Sequence, residues 1–182
     1  MNKFTLFKED SILLIIDLQE KLMSAMKYRE QIIEKNNVLI SAAKEMNIPM
    51  LFTEQYPKGL GRTDSKISTN LKNALKFEKN SFSACSEEFI CTLKELGRKK
   101  IILTGTETHI CVFQTARDLI SLGYEVFVVA DAVVSRTKAN YTNGLDLMRS
   151  MGATITNTET VLFDLLKEAG TPEFKLCSKL IK

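Results

Sequence analysis

Ile101-Ile-Leu-Thr-Gly-Thr-Glu-Thr-His-Ile-Cys111-Val-Phe-Gln-Thr-Ala116 is the stretch on which the fold turns. A short apolar run, a turn opened by Gly105 and a helical pattern beginning near Ile110 read as strand, loop and helix. The same grammar recurs on either side. Ser11-Ile-Leu-Leu-Ile-Ile-Asp17 and Glu125-Val-Phe-Val-Val-Ala-Asp131 are continuous apolar runs ending in an acid, as strands buried on both faces of a parallel sheet do. Met50-Leu-Phe-Thr-Glu54 follows the Asn47-Ile-Pro49 break as a further strand, residues 77–82 read as a short strand and turn, and 152–156 as a last strand. Helical periods occupy 28–46, 71–76, 86–97, 138–151 and 159–168. Alternation of this kind predicts an α/β protein: three layers, α-β-α, around a mostly parallel six-stranded sheet with helices on both faces.

The chain has 182 residues, 45% of them hydrophobic, which suits one domain with a sizeable core. The expected unit is 1–182, with 172–182 a mixed apolar and basic tail that docks either on the body or on a neighbouring subunit. Basic and acidic residues number 25 and 22, for a net charge of +3, and no block of like charge occurs. That balance argues against nucleic acid or an anionic membrane as the main partner. The first ten residues hold no long apolar run, so neither a signal peptide nor a membrane span is expected, and the chain reads as soluble and cytoplasmic. Cys85, Cys91, Cys111 and Cys177 are irregularly spaced, which predicts no disulfide framework and no zinc knuckle. A single histidine, His109, excludes a two-histidine metal site by count, and no cofactor is expected.

Three residues carry the candidate chemistry. Cys111 falls in the first turn of the expected helix, where unpaired backbone N–H groups and the helix dipole favour a thiolate. The preceding loop could aim two backbone amides beside the sulfur, as acyl transfer requires of an oxyanion hole. A small buried cysteine closing a helix against a sheet would give the same pattern. Asp17 ends the first strand, on the side of an open α/β sheet where ligands bind, though it would serve equally as the cap of a helical turn at 18–20. Lys79 by itself reads as a solvated charge, and becomes interesting only if the fold carries it to Cys111. The Gly- and Pro-rich loop 55–63 is long enough to lie over the strand ends. Its Gly59 and Gly61 lack the third glycine of a dinucleotide fingerprint, which disfavours a Rossmann-type binder.

Asp-Leu-Gln at 17–19, Lys79, Gly-Thr-Glu-Thr-His-Ile-Cys-Val at 105–112 and Asp-Ala-Val-Val-Ser-Arg at 131–136, in that order, resemble the isochorismatase-like cysteine hydrolase superfamily over nearly the whole chain. Glu54-Gln-Tyr-Pro-Lys-Gly-Leu-Gly61 further resembles its isochorismatase domain-containing subgroup. The resemblance implies a Cys-Lys-Asp triad. Cys111 attacks a carbonyl carbon to give a thioester, Asp17 takes the thiol proton and later serves water, and Lys79 lowers the cysteine pKa while holding Asp17 ionised. It also implies a cis peptide at Thr106–Glu107, backbone amides of Glu107 and Cys111 as the oxyanion hole, a rim or structural role for His109, and self-association as a dimer or higher homo-oligomer. Nicotinamidases of this superfamily hold a metal with an Asp and two His before the lysine, and 54–79 contains no histidine. Isochorismatase itself lacks the cysteine, so a vinyl ether is not the expected substrate. The expectation is a metal-independent cysteine hydrolase of a small amide or imide, with a non-catalytic scaffold as the alternative. Phe52, Tyr56, Phe82 and Phe113 are candidate pocket walls, and Gln19 and Arg136 are further binding candidates.

Overall fold

The computed structural model describes residues 3–181; Met1, Asn2 and Lys182, at the ends of the expected span, lie outside the described residues. Its strands are β1 (Ser11–Ile16), β2 (Met50–Gln55), β3 (Leu75–Lys79), β4 (Lys100–Thr106), β5 (Glu125–Val134) and β6 (Thr154–Thr156). They form one sheet in the order β3-β2-β1-β4-β5-β6, with every neighbouring pair parallel. The helices are α1 (Glu20–Ser24), α2 (Arg29–Glu45), α3 (Pro57–Leu60), α4 (Ser65–Ser68), α5 (Glu87–Leu96), α6 (Phe113–Ser121), α7 (Lys138–Ser150), α8 (Thr158–Leu166) and α9 (Pro172–Cys177), with a π-helical turn, Thr108–Val112, before α6.

β1, β2 and β4 are buried at every position because both faces of the sheet are covered. Alternate side chains feed two cores, as a period of two requires. Leu13, Ile15, Phe52 and Ile102 join the core that includes residues of α2 and α8. Ile12, Leu14, Leu51 and Leu103 join the one that includes residues of α5, α6 and α7. The tail docks on the body: Cys177 of α9 is fully buried in the first of these cores.

The chain builds outward from β1 to β3, returns to the centre as β4, and builds outward the other way to β6. The direction therefore reverses between β1 and β4, and the crevice beyond their carboxyl ends is where open α/β sheets bind ligands. The β1–β4 register sets Ile16 opposite Gly105 and so brings Asp17 to the turn that leads to Cys111. Gly105 has φ +120°, and a Cβ there would lie 2.0 Å from the Ile16 carbonyl oxygen. Only glycine permits that approach.

Short helices at Pro57–Leu60, Ser65–Ser68 and Pro172–Cys177 add to the expected elements, and two expected ones differ. Residues 71–76 do not form a helix, because the chain turns at Leu71 and enters β3 at Leu75. β3 is an edge strand whose charged Lys76 and Glu78 alternate with Phe77, which meets Phe89 of α5 edge-on at 5.1 Å. Such charged edges resemble amphipathic helices over so short a window. β5 is longer than expected and bulged, its register with β4 jumping from Leu103↔Val128 to Gly105↔Val133. The bulge is held from outside: Tyr141 Oη donates to the Ala130 carbonyl (2.9 Å), and Asn36 Nδ2 to that of Ala132 (3.1 Å). Asp131 accepts from the backbone N–H (2.7 Å) and hydroxyl (2.9 Å) of Thr158 at the start of α8. The acid ending this third run therefore anchors a helix, unlike Asp17.

Candidate active site

Asp17 follows β1 in a left-handed backbone conformation (φ 48°) and is fully buried. Its carboxylate caps no helix. Oδ1 accepts from the Thr53 hydroxyl of β2 at 2.6 Å, and Oδ2 from the Lys79 ammonium at the end of β3 at 2.7 Å. Lys79 is itself buried, and its three N–H donors have further acceptors in reach at Gln55 Oε1 (2.8 Å) and the carbonyls of Ser81 (3.2 Å) and Phe82 (2.9 Å). An ammonium with acceptors on all sides cannot swing away from the carboxylate. Losing one partner of such a pair typically costs about 3–5 kcal/mol, because the other charge stays buried and uncompensated.

Cys111 lies in the π-helical turn rather than in the first turn of an ordinary helix, and is 7% exposed. Turns of this type are frequent at functional sites. Asp17, Lys79 and the Glu107 backbone N–H lie near enough to act on the thiol, the carboxylate raising its pKa and the other two lowering it. The Thr106–Glu107 peptide is cis. Burial pushes the Cys111 thiol up to about 12, with the Asp17 charge acting in the same direction and Lys79 opposing both. The expected depression is thereby corrected. Local helix polarity favours a thiolate, but desolvation beside a carboxylate outweighs it, and the resting group is a thiol.

A pH dependence follows. Unfolded, this thiol would ionise near 9.0, and folded only near 12. Between those values the folded state keeps a proton that the unfolded state has lost. The contribution is complete below pH 9 and is lost as the pH rises toward 12. Alkaline denaturation midpoints should fall across that window, more steeply for the native chain than for Cys111→Ala. Equal slopes would contradict a buried neutral thiol.

A family model for the isochorismatase domain matches residues 11–160. The chain belongs to the isochorismatase family. The secreted isochorismatase effector Isc1 of Phytophthora sojae is 42% identical over 182 residues, covering 97% of this chain and 87% of that protein. Among solved structures, the MAR1 ribonuclease of Caenorhabditis elegans superposes with a TM-score of 0.93 at 39% identity, covering 97% of this chain and 92% of that one. The YcaC gene product of Escherichia coli, an octameric hydrolase of unknown specificity, gives a TM-score of 0.86 at 25% identity, with 91% and 83% coverage. The family and its hydrolase neighbour support a hydrolase-type function.

On this family fold the other expected site residues separate into two groups. Tyr56 and Phe82 are exposed and stand beside the lysine, Tyr56 N–H donating to the Lys79 carbonyl and the Phe82 carbonyl accepting from its ammonium. Phe113, half-buried, packs on the α5–α7 core with the Arg117 guanidinium 5.7 Å from its ring. Phe52 is no pocket wall: alternation along β2 turns it into the opposite core. Gln19 is fully buried and spent on backbone, accepting from Gln55 N–H (2.7 Å) and donating to the carbonyls of Gln55 (2.9 Å) and Gly61 (2.7 Å). It clamps the 55–63 loop. His109 Nδ1 pairs with Ser135 Oγ at 3.0 Å, and Arg136 binds the Glu107 carboxylate through its backbone N–H (2.9 Å) and Nε (3.1 Å). Among the described residues, no group of three His, Cys, Asp or Glu is placed to hold a metal, and no helix is long and apolar enough to cross a membrane.

The sequence reading passes over Thr53, Gln55 and Gly144. Thr53 looks like an ordinary strand residue and Gln55 like the start of a loop, and only the register of β2, which includes both, between β1 and β3 brings them to Asp17 and Lys79. Gly144 lets α7 press against the cysteine turn, since a Cβ there would lie 2.8 Å from the Thr108 carbonyl oxygen.

Proposed function

We propose that the chain is a metal-independent cysteine hydrolase of a small amide- or imide-type substrate, with Cys111 as nucleophile, Asp17 as base and Lys79 as its fixed counter-charge. The supporting observation is that one buried carboxylate holds the ammonium at 2.7 Å and is close enough to Cys111 for its charge to act on the thiol, at the point where the strand order turns back. As Cys111 Sγ bonds to the carbonyl carbon, its proton passes to Asp17. The C–N bond then breaks, and Asp17 returns that proton to the leaving nitrogen, giving a thioester. Asp17 next takes a proton from water, whose oxygen displaces the sulfur, and Cys111 regains its hydrogen. The backbone N–H groups of Glu107 and Cys111 serve as donors to the carbonyl oxygen as it becomes an oxyanion. The high thiol pKa suits this scheme, in which the proton leaves with attack rather than before it.

Tyr56 and Phe82 form the rim that meets the substrate. The octameric neighbour supports self-association. The irregular spacing of the four cysteines, without a disulfide framework, supports a reducing, cytoplasmic setting. The ribonuclease neighbour raises phosphodiester cleavage as a contrast, against which a thiol paired with a proton-accepting carboxylate fits carbonyl attack better.

The test is a panel of small primary amides, imides and their thioester analogues, with an RNA oligonucleotide alongside, each quenched for intact mass. A thioester on Cys111 is expected, and Asp17→Asn should slow its formation about 100-fold or more. Turnover that survives alkylation of Cys111, or an Asp17→Asn variant as fast as the native chain, would overturn the reading.

A further inference from the structure

We propose that the groove beside the β5 bulge is a second ligand site, separate from Cys111, for a small anion with a flat apolar body, either a carboxylate or a phosphate monoester. The groove encloses about 630 Å³, within the range of pockets that hold small molecules. Its space comes from the bulge, which carries Ala130 and Asp131 out of register with β4. Neither the thiol, Asp17 nor Lys79 lines it.

Charge decides the class of ligand. Lys27, Arg136 and Lys138 line the groove, and the one acid among the lining residues is Asp131. That carboxylate is already committed to the N–H and hydroxyl of Thr158, so it is poorly placed to neutralise the cations. Glu107 takes the backbone N–H and Nε of Arg136, and among the described residues no acceptor meets its two terminal amino groups. The first turn of α7, with Thr137 as its cap and no acid in it, lies at the same wall. A positive helix end and three cations favour an anion.

Shape decides the rest. The apolar walls are Ile32, Val133 and Val134, closed by Tyr141, whose ring is held by its hydroxyl bond to Ala130. Tyr28 is 55% exposed at the rim, with the Lys27 ammonium 5.5 Å from its ring. An aromatic face beside a cation offers stacking to a flat body and an ion pair to its charged end.

Isothermal titration at low salt tests the site on the full chain, using phenyl phosphate, benzoate, inorganic phosphate and benzyl alcohol as probes. Phenyl phosphate or benzoate should bind, whichever is the tighter naming the preferred anion. Benzyl alcohol and inorganic phosphate, each lacking half of the recognition, should bind about tenfold more weakly or worse. Alkylating Cys111 should leave the affinity unchanged, which separates this site from the proposed catalytic one. The double variant Lys27→Glu/Lys138→Glu should weaken binding about tenfold or more with its circular dichroism unaltered. Absence of binding, its loss on alkylation, or an unaffected double variant would overturn the proposal. So would light scattering showing an oligomer that must dissociate before the probe binds, because a second copy would then be filling the groove.

Discussion

Cys111→Ala should lower turnover of any substrate found in the amide panel by about a thousandfold or more while leaving the fold in place. The loss is large because the sulfur supplies the bond to carbon, and a methyl group can neither attack nor pass a proton to Asp17. The fold should survive because Cys111 adds one small side chain to a core that already contains Phe89, Leu93, Val112 and Leu119. Cys111→Ser sharpens the test. Its hydroxyl keeps a proton donor near Asp17, but an unactivated alcohol is a far weaker nucleophile than a thiol, so it too should lose most activity. The measurements are single-turnover kinetics and a urea melt on the three proteins. An Ala variant that retained turnover would remove Cys111 from the chemistry, and one that failed to fold would make the Ser variant decisive.

Gly105→Ala should be the most damaging small substitution in the chain, destabilising it by more than about 4 kcal/mol or preventing folding. The added carbon would sit 2.0 Å from the Ile16 carbonyl oxygen and 2.6 Å from its nitrogen, both rigid backbone atoms, at φ +120°. Relief requires β4 to move off β1, which opens the sheet where Asp17 and the cysteine turn meet. Gly123→Ala is the control. It also has positive φ, +83°, but nothing lies within 4 Å of its would-be Cβ, so only the cost of the backbone conformation applies, about 1 kcal/mol. Denaturant midpoints of the two variants should differ widely. If they matched, the close approach of β1 and β4 would be wrong.

Both results bear on how the site could be read from the chain. Asp17 and Cys111 stand out in the sequence for separate reasons, an acid ending an apolar run and a cysteine after a glycine turn, whereas Lys79 by itself reads as a solvated charge and is picked out by the family resemblance. The segments around Asp17 and Cys111 are legible because they obey local rules of strand, turn and helix. Phe52 and Gln19 were misassigned for want of direction, since alternation along β2 turns Phe52 to the α2 side and the chain after β1 turns Gln19 to the loop backbone. Asp131 shows the same limit. It ends its strand with the grammar of Asp17, yet the β5 bulge hands its carboxylate to α8.

Strand and helix alternation, the parallel sheet and the family are therefore written in local periodicity and short motifs, which depend on neighbours a few residues away. The partners of Asp17, the bond between Arg136 and Glu107, the groove beside β5 and the protonation of Cys111 depend on segments tens of residues apart. Register, close packing and the exclusion of water decide them, and those arise only when the sheet has assembled. The thiol makes the distinction plain: its place at a turn favours the charged form, while burial beside a carboxylate in the folded chain keeps it neutral.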